Sequence, residues 1–199
     1  RDRFDLTGKI AIITGGGGLL GLQHAIAIAG NGGLPILWDV HLAAARNNAD
    51  EVRKTLGVDC QVMEVDITDE VQVQKALKEI ITNHEKVDIL INNAANNPQP
   101  SDAGKTDWAR VENFPTEMWM KDLNVGILGA FNCCKTIGRF MAERKQGVIV
   151  NIASDLGLIA PDQRIYKISG IPEGEQPVKP VTYSVVKHAL IGLTKYLAT

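Results

Sequence analysis

The sequence predicts an α/β fold, a doubly wound parallel sheet held between two helical layers. Three observations predict it. Short apolar, β-branched runs alternate with helix-length segments along the chain. The first run passes directly into a glycine cluster that opens a helix. The polar residues best suited to ligand chemistry fall at the C-terminal ends of those runs, the edge at which such sheets bind ligands.

Length and composition bound the reading. The chain has 199 residues, which suits one domain over 1–199. Hydrophobic residues are 45% and charged residues 22%, enough for a sizeable core. A net charge of −2 with no basic block or stripe argues against nucleic-acid binding. No apolar run is long enough to span a bilayer, and no basic, apolar, cleavable leader is recognisable. The chain opens on Arg1, so its N-terminus reads as trimmed. Cys60, Cys133 and Cys134 lack the spacing of a disulfide framework, which points to a reducing compartment and a cytoplasmic protein. Adjacent Cys133 and Cys134 in a helical pattern read as packing residues, and no metal site is expected.

Taken in order, Lys9–Thr14 reads as a strand buried on both faces. Thr14-Gly15-Gly16-Gly17-Gly18-Leu19-Leu20-Gly21 follows, then a helix over Leu22–Ala29. Strand, glycine turn and helix make a phosphate-binding unit: backbone approaches a pyrophosphate, and the helix N-terminus adds partial positive charge. Leu34–Trp38 is a second strand ending in Asp39, 18 residues after Gly21. A carboxylate there accepts from ribose hydroxyls and repels a 2′-phosphate, so NAD is favoured over NADP. The alternative for Asp39 is a strand-end turn residue.

Ala43–Leu56 reads as a helix, Gln61–Val65 as a strand ending at Asp66, and Glu70–His84 as an amphipathic helix capped by Thr68 or Asp69. Val87–Ile91 is a strand running into Asn92-Asn93-Ala94-Ala95. Asn96–Thr116 reads as a loop with a short helical piece around Trp108. Glu117–Arg144 is a long helix carrying Asn124, and Gly147–Ile152 a strand ending before Ser154. Ile159–Pro180 holds too many prolines and glycines for one helix. Thr182–Thr199 is the last helix. On it Tyr183 and Lys187 stand four residues apart, on one side. An ammonium beside a phenol favours the phenolate, so such a pair can move a proton to or from a substrate oxygen.

In order and spacing these residues resemble the short-chain dehydrogenase/reductase family. The resemblance rests on the turn Thr14–Gly21, Asp66, Asn92–Ala95, Asn124, Ser154 and Tyr183–Lys187. It implies a Rossmann-type three-layer fold, a nicotinamide cofactor, and reversible oxidation of an alcohol to a ketone. It implies Tyr183 as acid/base, Ser154 as the donor holding the same oxygen, and Lys187 as ribose ligand and helper of the tyrosine. Asn124 would support a water that links the lysine to solvent. Gly15, Gly18, Leu20 and Gly21 would meet the pyrophosphate, Asp66 and Ile67 the adenine, and Asn92 and Ala94 the cofactor cleft. Singly, Asn124 also reads as a satisfied helix polar group, Ser154 as a turn residue and Asp66 as a cap. Homodimers or homotetramers are usual in the family, packing the Glu117–Arg144 and Tyr183–Thr199 helices across subunits.

Three departures stand out. The usual TGxxxGxG turn has Leu19 at its middle glycine, and the glycines fit GxxGxxG instead; binding is expected to survive because Gly18 is permissive. Ser154 and Tyr183 are 29 residues apart, more than is usual, and the additional residues form a lid-like insertion at about 159–180. Arg164 in it is expected to read an anionic substrate group or, alternatively, to pin the loop to Asp155 or Asp162. The chain given ends at Thr199 inside the catalytic helix, where the family continues with further strands. Gly17–Gly21, Asn151–Asp155 and Ala160–Arg164 also look like bacterial members placed near surface-sugar or flagellin-modification pathways, which fits a sugar-like substrate. The expectation is an NAD(H)-dependent oxidoreductase for a small polar alcohol or ketone, with no nucleic-acid or membrane partner. The alternatives are an NADPH-dependent ketoreductase of acyl or lipid substrates and a catalytically silent cofactor-binding protein.

Overall fold

The computed structural model describes residues 3–96 and 107–199. These form two compact units: one takes the chain through Ala94 together with Leu128–Ile152, the other its described part of Ala95–Ile127 and Ala153–Thr199.

The first unit is built on five parallel strands, β1 (Ile10–Thr14), β2 (Leu34–Asp39), β3 (Gln61–Glu64), β4 (Ile89–Asn92) and β5 (Val148–Asn151), in the order β3-β2-β1-β4-β5. β1 is central and buried along its whole length, so an uninterrupted apolar run is what its position requires. Helix α1 (Leu19–Gly30) joins β1 to β2 and α2 (Leu42–Leu56) joins β2 to β3. The chain then returns through α3 (Glu70–His84) to pair β4 on the opposite edge of β1. Right-handed crossovers therefore put α1 and α2 on one face and α3 on the other. Ala25, Ile28, Ala29, Ala45, Ala49 and Val52 close the first face against Ala11, Ile13 and Leu37. The strand order reverses between β1 and β4, opening a crevice at their C-terminal ends.

The expected strands and helices are present, with α1 starting at Leu19, inside the glycine cluster. Asp69 is the cap of α3, accepting from the backbone of Val71 at 2.8 Å. The long helix is continuous from Thr116 to Glu143, but it is not uniform. Successive segments are α4 (Thr116–Leu123), a π-helical stretch at Asn124–Gly129, α5 (Ala130–Cys133), a second π stretch at Cys134–Gly138, and α6 (Arg139–Glu143). Of the loop expected at 96–116, residues 97–106 lie outside the described residues; the helical piece is one turn at Asp107–Ala109.

The second unit centres on α7 (Val181–Leu197), which packs on α4 and on a short turn at Asp155–Gly157. The Pro/Gly-rich segment before α7 holds only single turns at Gln163–Tyr166 and Glu173–Glu175. Polar bonds fix it. The Arg110 guanidinium donates to the carbonyls of Glu173 and Gly174, Lys167 pairs with Glu173 at 2.7 Å, and the Gln176 amide bonds the backbone of Ile168 and Ile171.

All three cysteines are free and buried. Burial pushes the Cys60 thiol up to about 12 and raises those of Cys133 and Cys134 above the ordinary range. The thiolate is the reactive form. Iodoacetamide at pH 8 should therefore label the native protein at least about a hundredfold more slowly than the denatured chain. One fast native thiol, read by mass spectrometry, would contradict the packing role.

Candidate active site

In the first unit the site begins at Thr14, fully buried at the end of β1. Its hydroxyl oxygen accepts from the backbone N–H of Asn93 and Ala94, both at 3.1 Å. The Asn93 amide reaches back to the carbonyls of Thr14 at 2.9 Å and Gly15 at 3.2 Å. The ends of β1 and β4 are thus stitched together where the crevice opens. Gly15 sits at φ +64°, and a Cβ on it would come within 2.8 Å of Ala94 Cα. A Cβ on Gly21 would lie 2.5 Å from the Gly15 carbonyl oxygen. Backbone packing therefore requires both glycines before any ligand is considered.

Past this turn α1 begins without a side-chain cap and without an acidic residue in its first turn. Among the described residues no side chain caps the amides opening α1, the arrangement that binding a pyrophosphate there would require. Leu19 is 80% exposed, so its side chain leaves the turn rather than filling it. Leu20 is exposed beside it. Asn48 of α2, which sequence reasoning missed, donates to the carbonyls of Gly16 at 2.7 Å and Gly18 at 3.0 Å. Its only sequence signal is a polar residue one helix away.

Asp39 ends β2 half-buried. Its oxygens accept from the backbone N–H of Gly17 at 2.9 Å and of His41 at 2.8 Å. A carboxylate has about four acceptor sites, so capacity remains on both oxygens for ribose hydroxyls. Asp66 accepts from the Thr68 N–H and hydroxyl through Oδ1 alone. Ile67 is buried, and its carbonyl accepts from Asn132 at 3.0 Å. Asn92 is turned into the sheet: it is buried, and its amide donates to Asn151 at 2.8 Å and to the Cys134 sulfur. Ala94 packs on Gly15. These donors and the glycine cradle fit a dinucleotide.

In the second unit Tyr183 and Lys187 share one side of α7, with Lys187 Nζ 5.6 Å from the centre of the tyrosine ring. Lys187 is buried, and burial first, then the charge of Lys179, lowers the proton affinity of its amine. Ser154 caps the Asp155–Gly157 turn, accepting from Leu156 N–H at 3.2 Å while its hydroxyl donates to Asp155 at 2.8 Å. Gly157 presses that turn onto α7: a Cβ there would lie 2.7 Å from the Lys187 carbonyl oxygen. Asn124 opens the first π stretch on the exposed side, a local geometry common at functional sites. Arg164 is exposed and forked onto Asp162, its Nη2 2.7 Å from Oδ2. Sequence reasoning also missed Lys179, whose Nζ lies 4.1 Å from the centre of the Tyr183 ring. It missed as well the buried bond from the Thr182 hydroxyl to Asp122, 2.5 Å, which pins the start of α7 to α4.

A sequence model described as short chain dehydrogenase matches residues 9–169. An NADP-dependent mannitol dehydrogenase of Alternaria alternata is 29% identical, over 100% of this chain and 67% of that protein. An NAD-dependent glycerol dehydrogenase of Listeria innocua is 28% identical, over 98% and 65%. An NAD+-bound xylitol dehydrogenase crystal structure superposes with a TM-score of 0.78 at 27% identity, over 97% of this chain and 66% of that one. The chain thus spans about two thirds of the length of the relatives it matches.

Two substitutions test this geometry. Gly21→Ala should abolish binding of a reduced nicotinamide dinucleotide, read by fluorescence titration, because the turn must open to admit the methyl group. Thr182→Val leaves the Asp122 carboxylate buried with a bond unmade and should cost about 1.5–3 kcal/mol in urea unfolding.

Proposed function

The chain belongs to the short-chain dehydrogenase family, and from that premise we propose that it oxidises a secondary hydroxyl of a small sugar-like polyol, and reduces the matching ketone, with NAD(H). One observation carries the chemistry: Tyr183 and Lys187 lie on one helix side, with the turn of Ser154 seated on that helix at Lys187. When bound, the nicotinamide supplies the hydride acceptor. The protein's own work is the proton. Tyr183 takes it from the hydroxyl during oxidation and returns it during reduction. Ser154 holds the same oxygen, which requires its hydroxyl to turn from Asp155 to the substrate; hydroxyls rotate freely enough for that. Lys187 holds the ribose beside the tyrosine, and Asn124 supports the water that returns protons to solvent.

In the first unit, Gly15, Gly18, Leu20 and Gly21 hold the pyrophosphate, and Asp39 takes the adenosine ribose. Oδ2 of Asp66 and the backbone at Ile67 meet the adenine, and Ala94 lines the nicotinamide end. NAD is preferred because the Asp39 carboxylate would face a 2′-phosphate with like charge. The polyol assignment is supported by the substrates named for the relatives above: mannitol, glycerol and xylitol. The anion-reading role of Arg164 requires that side chain to leave Asp162. A homodimer or homotetramer is the expected assembly.

Titration by nicotinamide fluorescence tests the cofactor: NADH should bind at least about tenfold more tightly than NADPH. Asp39→Asn keeps an acceptor for the Gly17 N–H but removes the charge, and should narrow that ratio by about tenfold. An unchanged ratio would remove Asp39 from cofactor selection, and tighter NADPH binding in the wild type would favour the ketoreductase alternative.

A further inference from the structure

We propose that Asn48 is a positioning residue for the pyrophosphate: it holds two carbonyls of the glycine turn toward α2, so that the Leu19 amide is presented on the opposite side. The inference deepens the reading of Thr14–Gly21 as the pyrophosphate-binding turn and rests on it.

Three observations carry it. The first is the pair of bonds. The Asn48 amide donates to the carbonyl oxygens of Gly16 at 2.7 Å and Gly18 at 3.0 Å, one hydrogen for each. The second is where the amides of the turn go. Gly16 N–H donates to the Trp38 carbonyl at 3.1 Å, Gly17 N–H to Asp39 Oδ2 at 2.9 Å, and Gly18 N–H to the Gly15 carbonyl at 3.1 Å. These three N–H groups hold the turn in place. In α1 the first amide to meet a helix carbonyl is that of Leu22, bonded to Gly18 at 3.1 Å. Anion recognition therefore falls to Leu19, Leu20 and Gly21, whose N–H groups no side chain caps among the described residues. The third is the placing of α2. Ala45, Ala49 and Val52 are buried against Ala11, Ile13 and Leu37, so the helix backbone that carries Asn48 is fixed. A Cβ on Gly17 would lie 2.9 Å from the Ala44 Cβ, so turn and helix are in close contact.

Peptide geometry supplies the consequence. A trans peptide is planar, and its C=O and N–H point in opposite directions. The peptide joining Gly16 to Gly17 is therefore held on both sides, by Asn48 at the oxygen and by Asp39 at the nitrogen. The peptide joining Gly18 to Leu19 is held at its oxygen by Asn48 and by Leu22 N–H, which directs the Leu19 N–H away from both. Gly15–Gly18 is a run of four glycines, whose backbone angles no side chain restricts. Rotation of the Gly18–Leu19 peptide would bring a carbonyl oxygen toward the side where a phosphate needs a donor. Asn48 opposes that rotation from outside the turn, and it acts on the cofactor through the Gly18–Leu19 peptide.

The test compares ADP, which carries the diphosphate, with adenosine, which keeps only the base and ribose. Asn48→Ala should weaken ADP about tenfold in titration calorimetry and leave adenosine, followed by ligand-observed NMR, unchanged. Alanine favours a helix, so the variant should fold. Asn48→Leu, which keeps the branched shape of the asparagine without its donors, should reproduce the loss. An ADP affinity unchanged in the folded variants overturns the proposal. Equal weakening of ADP and adenosine also overturns it, because a general loss of the site is not the loss of one oriented amide. The wild type separates the two levels. If it binds adenosine as tightly as ADP, the turn is not a pyrophosphate site and both readings fail. If it gains from the diphosphate and Asn48→Ala keeps that gain, only the role of Asn48 fails.

Discussion

The first unit depends on one hydroxyl. Thr14 is fully buried at the end of the central strand, and its oxygen receives the first two amides after β4. Parallel strands leave their end groups unpaired unless something outside the ladder meets them, and buried unmet amides cost about 1–3 kcal/mol each. Thr14 meets two, and the Asn93 side chain returns two bonds to the start of the glycine turn. The crevice at the switch point is therefore not a gap left by diverging strands. It is a bonded frame whose glycines are fixed by backbone contact with Ala94 and with the turn itself. Asn48 and Asp39 hold the same turn from the α2 side and from the end of β2, one through its carbonyls and the other through an amide.

The second unit solves a similar problem with a helix. A side chain near a helix start sits where the helix ladder is incomplete, so it depends on other contacts for its position. Here the helix start is anchored by Thr182 to the buried Asp122, while Gly157 brings the Ser154 turn against the backbone of Lys187. Val186 closes the interior side against Gly126, which has no side chain to keep it away. The positions of Tyr183 and Lys187 thus follow from the contacts Thr182–Asp122, Gly157–Lys187 and Val186–Gly126.

What the sequence revealed follows from the range of the forces involved. Strand and helix alternation is local, so the sheet and the helices that wrap it were legible, as was the gathering of polar residues at one strand edge. The start of α1 was placed three residues late because glycines read as turn, whereas here Leu19 and Leu20 already follow the helix. The π stretches at Asn124–Gly129 and Cys134–Gly138 were invisible, since the residue pattern of a helix with one extra residue per turn does not differ over so short a run. Asn92, which the resemblance places along the cofactor cleft, bonds through its side chain to Asn151 and the Cys134 sulfur, partners 59 and 42 residues away that the sequence does not show. Both readings of Arg164 were open, and the structure gives it Asp162 as partner, two residues away on an exposed loop.

The insertion shows what composition alone leaves unread within a loop. Its prolines and glycines excluded a helix, and its charged residues drew attention to Arg164, but exposed ion pairs contribute only about 0–1 kcal/mol. The bonds that order the segment are less conspicuous: glutamine amides substituting for backbone partners at Gln163 and Gln176, and Arg110 capping two carbonyls. Such bonds fix a chain path without a core, so the path can specify where one residue arrives at modest stability cost. The residue that arrives is Lys179, and it arrives at the ring of Tyr183. A segment held this way is ordered by bonds within the second unit. Variation in its length and charge would then alter the environment of the tyrosine.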